Sequence, residues 1–202
     1  MERVVYTIGH SNHTAEALVG LLQGCGIEAV ADVRSRPHSR YNPQFDRDAL
    51  RETLRKAGIG YVFLGAELGA RSDVPSCYER GKVRYDRLAR TAAFQAGIAR
   101  VEKGAAEMRV ALLCAEKEPA ECHRTILVAR ELERRGYGVL HVLADCSVAT
   151  HAAVMGGLME AFRLQPNQGH MFRSDEDVLE DAYRLQEERI AYEMEKDEAS
   201  AA

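Results

Sequence analysis

The stretch from Arg109 to Arg135 carries the side chains best suited to chemistry: a thiol at Cys114, a carboxylate at Glu116, then Cys122, His123 and Arg124 in succession. A thiol near a helix N-terminus and an arginine tends toward thiolate, the form a nucleophile needs. The competing role for Cys114 is packing, because free cysteines usually sit buried at such positions. A phosphatase-type loop sets cysteine and arginine five residues apart so that backbone N–H groups wrap one phosphate. Here nine residues separate Cys114 from Arg124, so that loop is not supported. The strongest anion signal lies elsewhere, in Arg34, Arg36, His38 and Arg40, with no acid between them. Asp32 is either a general base or the structural partner of Arg34. His10, which follows a glycine, is either an acid–base group or a turn anchor, and Ser11 stands beside it. No Cys-x-x-Cys or His-x-x-x-His spacing occurs, so no metal set is expected unless His10, Cys114, His123 and a carboxylate gather.

These groups need elements to position them. Val110 to Leu113 reads as a buried strand with Cys114 as its last residue, followed by a polar loop and a helix opening at Pro119. Successive helical side chains are about 100° apart, so Cys122, His123 and Arg124 cannot share one direction. Thr125, Ile126, Val128, Ala129 and Leu132 mark the buried arc; Cys122 falls within it and is expected to pack, with His123 and Arg124 on either flank. Of these, Arg124 is the better anion holder, since a guanidinium pairs bidentately with phosphate or carboxylate.

The remaining pattern alternates. Arg3 to Ile8 is a strand, Ala17, Leu18, Leu21 and Leu22 give a helical stripe, and Glu28 to Val33 is a second short strand. Such a βαβ unit implies a parallel sheet with a right-handed crossover. A loop over residues 35 to 43, a helix from Asp46 to Lys56, a third strand from Tyr61 to Leu64 and a long loop to Lys82 follow. A helix then spans Tyr85 to Lys103, with Leu88, Ala92, Phe94, Ile98 and Val101 inward. After the Cys-His-Arg helix come a fifth strand, Val139 to Leu143, and a helix from about Thr150 to Arg163. Residues 165 to 170 interrupt the chain. Ser174 and Asp177 resemble a capping box for a highly charged helix reaching about Glu195. Its narrow stripe of Leu179, Tyr183, Leu185 and Ile190 places it at the surface or at a partner interface.

The expected architecture is α/β: a three-layer sandwich around a mostly parallel sheet of about five strands, with a charged C-terminal helix. Residues 1–165 form one α/β unit and residues 166–202 a helical extension. In a parallel sheet all strand C-termini share one rim, where ligands bind. That rim collects His10 and Ser11, Asp32 and Arg34, Gly65 and Glu67, Cys114 and Glu116, and Asp145.

Bulk properties set outer limits. At 202 residues and net charge −4, the chain is not a generally basic nucleic-acid coat, and any polyanion site is local. No apolar run approaches the roughly 20 residues that span a bilayer, which argues against a membrane partner. The first residues lead straight into a strand, so no signal peptide is expected. Five cysteines without paired spacing fit reduced thiols and a cytoplasmic location.

Five motifs occur in order: Thr-Ile-Gly-His-Ser-Asn (7–12), Asp-Val-Arg-Ser-Arg-Pro-His-Ser (32–39), Leu-Gly-Ala-Glu-Leu-Gly-Ala-Arg (64–71), Leu-Leu-Cys-Ala-Glu (112–116) and Cys-His-Arg (122–124). Over roughly residues 3 to 163 this order resembles the prokaryotic domain-of-unknown-function family 488, and His141 and His151 resemble its closing segment. The chain departs from that pattern at Ala70, where a second glycine is common, and at Cys146, where a turn glycine is expected. The resemblance implies a compact α/β fold and a shared polar site that includes His10, Ser11, Asp32, Arg34, Cys114, Glu116, His123 and Arg124. It names no reaction.

Three functions fit. In the leading one the rim pocket binds a phosphorylated ligand, a nucleotide or a nucleic-acid end, and hydrolysis is open to it. Arg34, Arg36 and Arg124 hold phosphate with Ser11 and His123 alongside, His10 or Asp32 moves a proton, and Glu116 orients His10 or an arginine. In the second the chain is a non-catalytic module for single-stranded nucleic acid, with Tyr41, Phe45 or Tyr78 stacking on bases. In the third Cys114 carries redox or thiol-transfer chemistry. None requires a cofactor.

Overall fold

The computed structural model describes residues 3–164 and 174–194. The predicted break over 165–170, and with it the expected boundary between the two units, lies outside those residues.

Six strands form one sheet: β1 (Val4–Gly9), β2 (Ala29–Asp32), β3 (Gly60–Phe63), β6 (Val110–Cys114), β7 (Gly138–Val142) and β8 (Val148–Thr150). Their order is β3-β2-β6-β1-β7-β8, parallel throughout except for the antiparallel edge pair β7–β8. The sheet is thus α/β and mostly parallel, one strand larger than expected. β8 went unpredicted because it is three residues long and follows a tight turn. Cys146 in that turn adopts φ +70°, the left-handed conformation that glycine takes at least cost, which accounts for the glycine that the resemblance places there.

Helices cover both faces. α1 (Ala15–Gly24, capped by Thr14) and α2 (Arg47–Lys56) pack Leu18, Leu22, Leu50 and Leu54 on one side, against Ile8, Val30, Ala111 and Leu113 of the sheet. The other face carries α3 (Gly65–Leu68), α4 (Tyr85–Ala89), α5 (Ala92–Glu107), α6 (Arg130–Arg134), α7 (His151–Ala161) and α8 (Asp175–Ile190). Residues of β6 alternate between the two cores, so Val110, Leu112 and Cys114 face the same side as the α6 segment. That alternation aims the Cys114 thiol toward the helix bearing Cys122.

Three element boundaries differ from expectation. The region 65–82 is not one loop: it holds α3, a 3-10 turn at Pro75–Cys77 and the small hairpin β4 (Tyr78–Glu79) with β5 (Lys82–Val83). The helix predicted from Tyr85 breaks before Thr91, whose hydroxyl caps α5 by accepting from Phe94 N–H at 3.2 Å, and Ala92 is exposed rather than inward. Pro119 opens a 3-10 turn, Pro119–Glu121, and Cys122 is extended (φ −133°, ψ 141°). Helix begins only at His123, winds as a π-helix over Arg124–Ala129 and continues as α6.

α8 starts with the predicted capping box between Ser174 and Asp177 and packs back on the chain itself through Val178, Ala182 and Tyr183. Beneath it runs a buried polar relay: Thr7 Oγ1 to His141 Nδ1 (2.8 Å), His141 Nε2 to His151 Nδ1 (3.1 Å), and His151 Nε2 to Tyr183 Oη (2.6 Å). Burial lowers His141 to about 3 and His151 to about 4, so both rings are neutral in the fold. An unfolded histidine titrates near 6.5. Below that pH the unfolded chain takes up protons that the folded chain refuses, so this contribution to stability is complete above about 6.5 and is lost as pH falls toward 4. Thermal melts across this window are expected to show a falling Tm, with a shallower fall in His151→Gln. An equal slope in the variant would contradict the assignment.

Candidate functional site

The sheet order puts the C-terminal ends of β2, β6 and β1 side by side at the point where connections diverge, α1 leading from β1 one way and α6 leading from β6 to β7 the other. Asp32 ends β2. Its carboxylate takes Arg34 N–H at 3.1 Å, Arg34 Nε at 2.9 Å and Arg34 NH2 at 2.6 Å, while Tyr61 Oη donates to it at 2.8 Å. Asp32 is completely buried and Arg34 is 6% exposed. A carboxylate so occupied cannot serve as a general base; Asp32 is the structural partner of Arg34.

His10 follows β1 and completes the clamp. Its Nδ1–H donates to Ser11 O at 2.8 Å, leaving the Nε2 lone pair to accept from Arg34 NH1 at 3.2 Å, and the ring lies 4.4 Å from that of Phe45. Burial, with the Arg34 charge beside it, lowers His10 to about 4 against the pull of the Ser11 bond. His10 is therefore a neutral acceptor that fixes Arg34, not a proton shuttle near neutral pH. Ser11 sits at φ +46° and turns its hydroxyl to Asn12, away from the cluster.

The thiols lie next to this clamp. Cys114 Sγ and Cys122 Sγ each donate to Glu116 Oε2 at 2.9 Å, and His123 Nδ1 lies 3.6 Å from Cys114 Sγ and 3.8 Å from Cys122 Sγ. His123 Nε2 donates to Val33 O at 3.0 Å, which turns Nδ1 toward the sulfurs. The expected roles change accordingly. The Glu116 carboxylate serves the two thiols and orients neither His10 nor an arginine. Cys122, expected only to pack, joins the cluster because its backbone is extended and the helical spacing begins one residue later.

Burial and the neighbouring Cys122 push the Cys114 thiol well up. Burial opposes ionisation of Cys122 too, yet the Cys114 hydrogen bond and the Arg124 and His123 charges carry it well below the usual thiol range. Of the two sulfurs, Cys122 is the one whose surroundings favour the thiolate, whereas the sequence placed that tendency at Cys114. Burial also raises the Glu116 carboxyl.

Arg124 was expected to hold an anion. It is fully buried instead, with NH1 donating to Glu116 O at 2.7 Å and NH2 to Lys117 O at 3.2 Å, so it pins the loop after β6. Gly9 makes that loop possible: a Cβ there would lie 1.8 Å from Glu116 O. Gly65 does the same for the other strand, since its Cβ would lie 1.9 Å from Arg34 O.

A cleft of about 270 Å³ opens onto these groups, bounded by Arg34 and Arg36, by Arg71, by Cys114 and His123, and by Tyr192 beyond α8. Of the predicted rim residues, Glu67 pairs with Arg100 and Asp145 bonds Ser147 in its own turn, and neither lines this cleft. His38 is held by Asp46 at 2.6 Å, so the basic loop does have an acid reaching into it from α2's N-terminus. Arg71 and Tyr192, which stack with the guanidinium carbon 4.3 Å from the ring centre, were not foreseen. The segment holding Arg71 read only as loop, and no sequence signal ties Tyr192 to the rim.

A family model described as "Domain of unknown function DUF488" matches residues 14–130. The chain belongs to that family. No curated protein and no solved structure matches it. The DUF488 span carries Asp32, Arg34, Arg36, Arg71, Cys114, Glu116 and the Cys-His-Arg run, whereas His10 and Tyr192 contribute from outside it. No described helix is long and apolar enough to cross a membrane.

The buried clamp has a measurable cost of failure. Removing one member of a buried ion pair typically costs about 3–5 kcal/mol. Asp32→Asn is expected to lower the unfolding free energy measured by urea titration by that order, with Arg34 left charged and half-satisfied; a variant as stable as the parent would show the pair to be solvated.

Proposed function

We propose that the chain is a recognition pocket for a phosphorylated ligand, a nucleotide or the terminus of a nucleic acid. The observation that carries this reading is the convergence of Arg34, Arg36 and Arg71 on one cleft. Arg34 is immobilised by Asp32 and His10, so its guanidinium meets an anion without losing side-chain freedom on binding. Three of its five N–H groups are engaged by those residues, which leaves two to meet an anion.

Size favours a single nucleotide unit over a strand, because about 270 Å³ lies just below the usual range of small-molecule pockets, roughly 300–1,000 Å³. The strand-binding alternative loses one of its stacking residues. Phe45 is completely buried beneath His10, although Tyr41 is 92% exposed. The reading is one of recognition: Asp32 is fully occupied and His10 is neutral and accepting, so neither proton-transfer candidate is free.

Calorimetric titration with inorganic phosphate, a nucleoside monophosphate and a 5′-phosphorylated dinucleotide tests this directly. Micromolar to millimolar binding is expected for at least one of them, with Arg36→Glu weakening it by about tenfold or more, as loss of a charge-assisted contact implies. The absence of binding to all three would overturn the reading, as would equal binding by the variant.

A further inference from the structure

We propose that Cys114, Cys122 and His123 bind one zinc ion, with Glu116 as an exchangeable fourth ligand. The inference stands on the geometry of the cluster and does not depend on the anion reading of the neighbouring cleft.

The four ligand atoms, Sγ of both cysteines, Nδ1 of His123 and a carboxylate oxygen of Glu116, all lie within 4.8 Å of one another. For metal–sulfur bonds of about 2.3 Å and metal–nitrogen bonds of about 2.0–2.1 Å, a tetrahedral centre requires sulfur–nitrogen edges of about 3.6 Å. The observed edges are 3.6 and 3.8 Å. The sulfur–oxygen edges, 2.9 Å each, are shorter than coordination would set and match S–H···O bonds instead. These contacts to Glu116 thus occupy the space an ion would take. Coordination would release the remaining thiol protons to solvent and let Glu116 withdraw by a fraction of an ångström. Glu116 can do so, since it follows the strand on an exposed loop while both cysteines are buried.

Two further features fit metal ligation better than packing. His123 donates its Nε2–H to the Val33 carbonyl, the outer-shell bond that fixes the tautomer and orients a ligating imidazole. The Arg124 amide donates to Cys122 Sγ at 3.4 Å, the kind of N–H···S contact that supports a bound thiolate. Thiolate and imidazole together favour zinc over hard cations. Two cysteines and one histidine with an exchangeable position opening on a cleft are the donor pattern of reactive rather than purely structural zinc.

The test uses the full chain, reduced and stripped with a chelator, then titrated with Co(II) and separately loaded with Zn(II). One equivalent of Co(II) is expected to give intense visible bands of a tetrahedral site and a near-ultraviolet thiolate charge-transfer band, both bleached by Zn(II). X-ray absorption of the zinc-loaded parent should show two sulfurs at about 2.3 Å and two lighter atoms at about 2.0–2.2 Å. Cys122→Ser and His123→Gln should weaken binding at least tenfold, and Cys25→Ser should not. Because the parent spectrum reports the ligands by itself, variants that fail to fold do not shield the proposal. A shell of nitrogen and oxygen alone, or no charge-transfer band, overturns it. Since no phosphate compound is present, these outcomes are independent of whether the cleft binds anions.

Discussion

The buried ion pair between Asp32 and Arg34 is the constraint from which the rest of the rim takes its geometry. Two opposite charges withdrawn from water persist only when their remaining hydrogen-bonding capacity is met. Tyr61 and the Arg34 amide satisfy the carboxylate, and His10 satisfies one arm of the guanidinium. Each of these partners comes from a different strand or strand end, so the pair ties β1, β2 and β3 together at one level. The same few residues of β2 present the Val33 carbonyl that orients His123 and the Arg34 carbonyl against which Gly65 packs. A change at Asp32 therefore propagates to both the cleft and the thiol cluster without touching either.

Arg124 plays the corresponding part for the loop after β6. Its guanidinium holds the Glu116 and Lys117 carbonyls, and Gly9 lets that backbone come close to the end of β1. The helix carrying Arg124 is unusual in winding as a π-helix over its first turns, a form often found at functional sites. Arginine here acts at two levels: Arg124 builds the frame from within, and Arg34 lies at the frame's edge, where the cleft begins.

Much of this was legible in the chain itself. The βαβ pattern implies a parallel sheet and a parallel sheet puts strand ends on one rim; the β2-β6-β1 order, which no pattern in the chain reveals, then makes His10, Asp32, Arg34 and Cys114 neighbours there. Cys122 was misread because Pro119 opens a 3-10 turn instead of the helix, which shifts the helical register by several residues. The burial of Arg124 was invisible because sequence shows charge but not whether carbonyls wait for it. Tyr192 was hidden for a different reason: its place at the cleft depends on how α8 docks, and a narrow apolar stripe gives only an unpartnered face. The dock is made by Tyr183 on the His141–His151 relay and by the Gln186 side chain donating to Ala120 O at 2.8 Å. Neither contact has a sequence periodicity to announce it.

The most direct test of the frame is exchange of the Arg34 Nε–H with solvent, followed by nitrogen-15 NMR at neutral pH. A bidentate pair sealed between strand ends predicts a signal that exchanges only through large openings of the fold, orders of magnitude more slowly than that of the exposed Arg40. An Arg34 Nε–H that exchanges as fast as Arg40's would mean that water reaches the pair, and the account of the rim built on it would be wrong.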